Sequence, residues 1–468
     1  MFFLSRAHIG TTILNTVNTR ELHRMIFLYT FTLWLLLPFV LFRLIWRARK
    51  QPEYLHHIGE RFGYYSFSND KPVIWLHAVS VGETRATQSL VTRLLASYPL
   101  YQILLTHATP TGRAASEQLY GDSVLRVYLP YDYPFAVQRF LLHFRPQLGI
   151  LMETEIWFNL IDTCHTTRTP LLLLNARMSE RSARGYGHFA RLTREALRKL
   201  AAVAAQTADD AARLTSLGAK NASVMGNLKF DIEPPSDMLG LGKQLREQFG
   251  ITRKIFLAAS TREGEEILLL DALQNFHIAD FLLVIVPRHP QRFSTVANLL
   301  EQRRISYCRR SEMINTGKSC YGCLQKQIVP AEIQVVLGDS MGEMFAYYAA
   351  SDIAFIGGSL LPYGGQNLIE ACAVGTPVLV GPHMYNFGEA ARIAVSAGAA
   401  IQVCDVAGIV DEAQRLLHDR EKLNGMRHQC IKFVESNRGA TETSLELVKQ
   451  HLNLTTHPDS SRQAHSSR

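Results

Sequence analysis

Cysteine is sparse in this chain. Seven residues scattered through 468 exclude a disulfide-stapled fold and suit free thiols in a reducing compartment. Only Cys320 and Cys323, with Cys308 nearby, have the spacing of a metal knuckle, and the missing second pair argues against zinc. No G-x-G-x-x-G follows the first strand, and neither a Walker A loop nor a zinc-binding helix motif is present. Hydride transfer and ATP hydrolysis are therefore not suggested. No Asp-x-Asp clamp stands at a strand end, so no divalent ion on a diphosphate is indicated and no cofactor is expected. Repeats of solenoid period are absent too.

What is present is basic and apolar. The net charge of +8 favours anionic partners, among which nucleic acid, acidic lipid and a phosphorylated substrate start level. From Ile26 to Phe42 no residue is charged, a run long enough to cross or deeply embed in a bilayer. Arg43, Arg47, Arg49 and Lys50 follow it, which sets the rest of the chain on the cytoplasmic side. The run lacks an A-x-A exit and ends in Arg and Trp, unlike a cleaved signal peptide. The basic stretch Arg177 to Lys199 reads as a solvated helix face or, beside an anchor, as a face that meets anionic lipid. No basic groove interleaved with aromatics appears, so nucleic acid is not expected.

Behind the anchor, apolar strands alternate with amphipathic stretches. Strands are expected at Val73–Leu76, Ile103–Thr106, Val124–Leu129, Leu148–Met152, Leu171–Leu174 and Ala201–Ala205. After a break at Asp231 to Pro235 they resume at Ile255–Ala259, Phe281–Val286, Gln334–Leu337, Ile353–Ile356, Val378–Val380 and Ala400–Val403. Such alternation specifies α/β domains with parallel sheets covered on both faces. The expected organisation is an unstructured extension at 1–24, an anchor at 25–46 and a domain at 47–230. A linker at 231–252, a second domain at 253–425, a helix at 426–452 and a disordered tail at 453–468 complete it. Met25 is a candidate start, and the aperiodic stretch Arg309 to Ala331 reads as a surface insertion.

Chemistry gathers where strands end. A helix begins near Glu83 after the loop Ala78 to Gly82, so a carboxylate stands where open α/β sheets hold their ligands. Such a group either caps its helix or serves as a general base. Further polar clusters follow at Thr106–Gly112, Tyr131-Asp132, Glu153-Thr-Glu155 and Asn175-Ala-Arg177, and Lys229 sits just before the break. In the second half, Pro287-Arg288-His289 ends a strand and suits bidentate phosphate binding. The Gly-containing turns Gly338 to Glu343 and Gly364 to Glu370 lead into helices whose starts bind phosphate well.

Read together, these motifs resemble the 3-deoxy-D-manno-octulosonic acid (Kdo) transferases of Gram-negative bacteria. The likeness runs from about Met25 to about Leu452. It rests on His77-Ala-Val-Ser-Val-Gly-Glu83, Tyr128-Leu-Pro-Tyr-Asp132, Met152-Glu-Thr-Glu155, Asn175-Ala-Arg177, Gly226-Asn-Leu-Lys-Phe-Asp231, Val286-Pro-Arg-His289, Gly338-Asp-Ser-Met-Gly-Glu343 and Gly381-Pro-His383. The resemblance implies a GT-B glycosyltransferase, with two doubly wound Rossmann-like domains facing a cleft and an N-terminal anchor in the inner membrane. It implies transfer of Kdo from CMP-Kdo to the 6-hydroxyl of the tetra-acylated, bis-phosphorylated lipid A precursor, with inversion and without a metal. Glu83 matches the catalytic base, and Glu153 and Lys229 match transition-state stabilisers. Pro287, Arg288, Met341, Gly342, Glu343, Asn367, Leu368, Ile369 and Glu370 match the CMP-contacting segments. Arg177, Arg181 and Arg184 are candidate acceptor contacts. The family often reads Gly-Gly-His-Asn where this chain has Gly365-Gln366-Asn367, and Gln cannot become cationic near a phosphate. The rival readings are another GT-B activity using a UDP-sugar, a sugar-nucleotide epimerase, and a membrane-tethered binding protein without catalysis.

Overall fold

The structure, a computed structural model, describes residues 5–275, 278–315 and 328–456. Its strands form two sheets of seven, each in a separate unit. The first unit comprises the chain up to Asp231 and again from Arg438; the second is Ile232–Asn437.

In the first unit, strands β1 (Val73–His77), β2 (Gln102–His107), β3 (Leu125–Tyr128), β4 (Pro146–Met152), β5 (Leu171–Ala176), β6 (Ala202–Ala205) and β7 (Ser223–Val224) pair in the order β3-β2-β1-β4-β5-β6-β7. Every pair is parallel. All five residues of β1 are buried, because helices cover both faces, and this is why the strand reads as an unbroken apolar run. Alternate residues serve opposite faces. Val73, Trp75, Leu104, Leu151 and Leu173 join one core, while Ile74, Leu76, Leu105, Ile150 and Leu172 join the other. Between β1 and β4 the strand order reverses, which opens the crevice that doubly wound sheets use for ligands.

The second unit repeats the design. Strands β8 (Lys254–Thr261), β9 (Phe281–Pro287), β10 (Tyr307–Arg309), β11 (Val335–Leu337), β12 (Ile353–Ile356), β13 (Val378–Val380) and β14 (Ala400–Gln402) run β10-β11-β9-β8-β12-β13-β14. All pairs are again parallel, and the order reverses between β8 and β12.

Several expectations change. The extension at 1–24 is not separate from the anchor, since one helix spans Ser5–Ala48. No Gly or Pro falls between Thr11 and Leu37, so nothing stops a nucleated helix from propagating. The stretch expected as a linker contains a helix, Ser236–Phe249, whose Gly242, Leu245 and Phe249 are buried at helical spacing. Asp352 accepts a 3.0 Å bond from its Arg246. The helix expected at 426–452 is two, Arg420–Ser436 and Ala440–Thr456, separated at Gly439, whose φ of +115° suits only glycine. The later helix packs Ala440, Val448 and Leu452 onto the first unit's core. It also takes in the start of the expected tail, whose remainder at 457–468 lies outside the described residues. The aperiodic stretch holds β10's last residue and a helix, Arg310–Asn315. Cys320 and Cys323 lie outside the described residues.

Candidate active site

The loop after β1 is built as a helix start. Ser80 caps the helix Val81–Ala86 by accepting from the Glu83 N–H. Its hydroxyl in turn donates to Glu83 Oε1 at 2.9 Å, and the Val79 N–H donates to Oε2 at 2.8 Å. Glu83 is therefore a cap as well as a candidate base, and each oxygen keeps a second lone pair for another donor. Burial pushes its carboxyl up to about 7; the bond from Val79 opposes this, and the neighbouring charges of Glu153 and Glu155 add to it.

Across the reversal point, β4 ends at Met152 and Glu153 adopts a left-handed φ of +58°. A non-glycine residue in that region costs energy and is common where a site has to aim a side chain. The Lys229 ammonium lies 4.0 Å from Glu153 Oε1. Lys229 is held from beneath by a chain of bonds that starts at Asn175, itself left-handed at +51° beside a register shift in β5. Asn175 Oδ1 accepts the Leu228 N–H, and its carbonyl accepts from Gln206. Gln206 accepts from Asn227, whose own Oδ1 accepts the Lys229 N–H. The polar strand ends of β5 and β6 are thus support for Lys229.

Glu155 was grouped with Glu153 in sequence and has its own surroundings. Trp157 Nε1 donates to Oε2 at 2.6 Å, and His77 Nε2 stands 4.0 Å away. Burial lowers His77 to about 3, with His107 adding to it, so the imidazole is neutral and this approach is not an ion pair. Its Nδ1 sits 3.0 Å from the Thr106 carbonyl, which can only accept, so that nitrogen carries the proton.

Arg177, Arg181 and Arg184 are exposed. The first follows β5 and the other two lie on the helix Glu180–Gly187. Farther along the basic stretch, Arg191 pairs with Glu21, Arg198 with Glu195 and Lys199 with Asp162, so part of its charge is spent internally.

In the second unit the candidate donor residues lie at the carboxyl ends of β9 and β11 and in the approach to the helix Ile369–Ala373. Pro287 is buried, and the Arg288 N–H donates to the Thr261 carbonyl at 3.0 Å. Met341 and Gly342 are exposed, with Gly342 at φ +84°. Glu343 is bound by both Arg310 Nε and Nη2, at 3.2 and 3.3 Å, and accepts from Ser340 at 2.6 Å. Asn367 donates to Glu370 and accepts the Ile369 N–H. Leu368 and Ile369 are fully buried, which leaves them only backbone groups to offer a ligand.

Three residues here escaped the sequence reading. Arg262 stacks over Tyr363 and meets His289 Nε2 at 3.0 Å. Buried Glu265 accepts N–H bonds from Arg262, Gly358 and Leu360 and so shapes the loop after β12. Both follow a strand end, at Thr261, as Glu83 does, and that signal was available. Arg310 lies in the aperiodic stretch, where no pattern marks it. Among the described residues, no group of three or more His, Cys, Asp or Glu could hold a metal ion.

Comparison with known proteins identifies the family. A family model for 3-deoxy-D-manno-octulosonic-acid transferase matches residues 56–232, and one for glycosyl transferases group 1 matches residues 319–434. The 3-deoxy-D-manno-octulosonic acid transferase of Bordetella pertussis is 42% identical over 389 residues, which cover 81% of this chain and 87% of that protein. The Haemophilus influenzae enzyme of the same name is 35% identical over 433 residues, 91% and 98% of the two chains. Among solved structures, the Neisseria meningitidis UDP-GlcNAc 2-epimerase superposes with a TM-score of 0.53 over 81% of this chain and 100% of its own, at 15% identity, a likeness of fold alone. Two parallel sheets of seven strands, the first within the Kdo transferase match and the second overlapping the group 1 match from β11 onward, define a glycosyltransferase of the GT-B fold. At this identity and coverage the chain belongs to the Kdo transferase family of lipopolysaccharide biosynthesis.

Proposed function

We propose that the chain moves Kdo from CMP-Kdo to the 6-hydroxyl of the tetra-acylated, bis-phosphorylated lipid A precursor, with inversion and without a metal. The observation that carries this reading is the raised carboxyl of Glu83 beside Glu153 and Lys229 at the reversal point of the first sheet. In the reaction, the acceptor hydroxyl gives its proton to Glu83 as its oxygen bonds to the anomeric carbon of Kdo. The bond from that carbon to the CMP phosphate oxygen breaks, and the electron pair leaves with CMP. A single displacement of this kind inverts the anomeric centre. Lys229, oriented by Glu153, supplies positive charge to the developing anion. Arg288, the backbone around Met341 to Glu343, and Asn367 to Glu370 are the donor contacts. The exposed Arg177, Arg181 and Arg184 suit the anionic groups of the acceptor.

The helix Ser5–Ala48 supplies the anchor. Its segment Arg24–Ala48 is apolar, and Phe27, Phe31, Leu35, Phe39, Phe42 and Trp46 are exposed along it to embed in lipid, while Tyr29, Thr30 and Trp34 meet the first unit. The Arg and Lys residues that follow favour the inner membrane with the catalytic units on the cytoplasmic side.

The test supplies CMP-Kdo and the lipid A precursor to the full chain in detergent and weighs the products. Stepwise mass gains of Kdo are expected, and their number counts the residues added. Glu83→Gln should lower the rate by about 10²–10⁴-fold, as loss of a general base does. Turnover of a UDP-sugar in place of CMP-Kdo would overturn the donor assignment.

A further inference from the structure

The motif Tyr128-Leu-Pro-Tyr-Asp132 has no part in the chemistry proposed so far, yet Asp132 is only 4% exposed. Its carboxylate joins three elements. Oδ1 accepts the Leu160 N–H at 2.8 Å, while Oδ2 accepts the Asn159 N–H at 3.1 Å and the Tyr29 hydroxyl of the anchor helix at 2.8 Å. Asn159 returns a bond to the Asp132 carbonyl and accepts from Thr30 of the anchor helix. Tyr133 donates to the Leu33 carbonyl, and Trp34 packs against Tyr133 and Phe135 at 5.1 and 5.7 Å between ring centres. The Tyr29 ring meets Phe158 edge-on at 5.1 Å. One side of the anchor helix is therefore bonded to this unit by polar groups, which a helix meant only for lipid would not carry.

What Asp132 caps is the helix Phe158–Thr166. That helix follows directly on the turn that holds Glu153, Glu155 and Trp157. Glu153 is held in a left-handed conformation, which persists only where its surroundings over-determine it. The capped helix start is the far support of that turn, and the anchor helix supplies one of the donors that hold the cap.

We propose that Tyr29 and Asp132 are positioning residues, a latch through which docking of the anchor helix holds the Glu153–Trp157 turn in its catalytic geometry. Catalytic competence is thereby coupled to the docked state of the membrane-binding helix. The inference rests on the assignment of Glu153 to the site.

The experiment compares native protein, Tyr29→Phe, Asp132→Asn and Glu153→Gln, all full length in detergent with saturating substrates. Tyr29→Phe keeps the ring on Phe158 and removes only the hydroxyl bond to the carboxylate. The expected result is a kcat lower by about tenfold, the scale of one hydrogen bond to a charged group. The KM for CMP-Kdo and the membrane-bound fraction should stay native, the melting temperature should fall by no more than a few degrees, and amide exchange at 153–160 should speed up. A native kcat in Tyr29→Phe, or a loss accompanied by native amide exchange at 153–160 or by a lower membrane-bound fraction, overturns the latch. Should Asp132→Asn fail to fold, Tyr29→Phe decides alone. If Glu153→Gln is inactive while Tyr29→Phe is native, only the latch fails; if Glu153→Gln retains the native rate, the site assignment fails first.

Discussion

Glu83 has to be ionised before it can take a proton, and burial works against that. With its carboxyl pushed up to about 7, the base form is scarce in acid and grows as pH rises. The rate of transfer should therefore climb about tenfold per pH unit below that value and level off above it. Initial rates measured across the pH range check this, and Glu83→Gln should abolish the limb. The charge of Glu155 is one of the causes that raise Glu83. Glu155→Gln should accordingly move the limb to lower pH, and a limb that stays in place would mean that the two carboxyls do not communicate. Glu83 itself was legible in sequence because Ser80 and Glu83 stand three apart after an apolar run, a spacing that specifies both a cap and an exposed strand end. The support beneath Lys229 was not, since Asn175, Gln206 and Asn227 meet only after three separate strands and loops have been brought side by side.

The central strands leave little room around them. Gly149 in β4 lies beneath Trp75, and an added Cβ would come within 2.7 Å of both the Trp75 ring and Leu171. Trp75 cannot yield, because it is fully buried and its Nε1 donates to Thr106 at 2.8 Å. Gly149→Ala should destabilise the first unit by about 1–3 kcal/mol, the usual cost of overpacking, with a lower urea midpoint as the readout. An unchanged midpoint would show that β4 shifts freely, contrary to its pairing on both edges. The longer strands were legible because runs of three to six apolar residues recur in alternation with amphipathic stretches, the pattern of a buried parallel sheet. β7 (Ser223–Val224) and β10 (Tyr307–Arg309) were not, since they are edge strands without the apolar run that marks the equally short β13. The helix Ser236–Phe249 was masked by two prolines ahead of it and by Gly240 and Gly242 within it, all poor helix signals. Its formation depends instead on packing of Leu245 and Phe249, both fully buried.

The chain enters its second unit at Ile232 and leaves it at Asn437, so the first unit is closed by residues far apart in sequence. Asp231 ties that closure: its carboxylate accepts the Gly439 N–H at 2.7 Å and also the Thr441 N–H at the start of the last helix. Removing such a cap typically costs about 1–2 kcal/mol. Asp231→Ala should lower the stability of the first unit by that amount and speed hydrogen exchange along Ala440–Thr456. Native exchange in that helix would show that its apolar packing in the same core suffices.

By itself the sequence determined the class of fold, the two-unit plan, the apolar N-terminal segment and most strand ends, because each follows from local pattern: apolar runs, helix starts and the glycines that precede them. The tertiary structure alone decided that the last helix returns to the first unit, that Arg310 and Glu265 brace the loops after β11 and β12, and that Asp132 joins the N-terminal helix to the start of the helix Phe158–Thr166. Those are contacts between residues up to 210 positions apart. Contacts of that span leave no period in a chain, and only the packing of whole elements brings such groups within bonding distance.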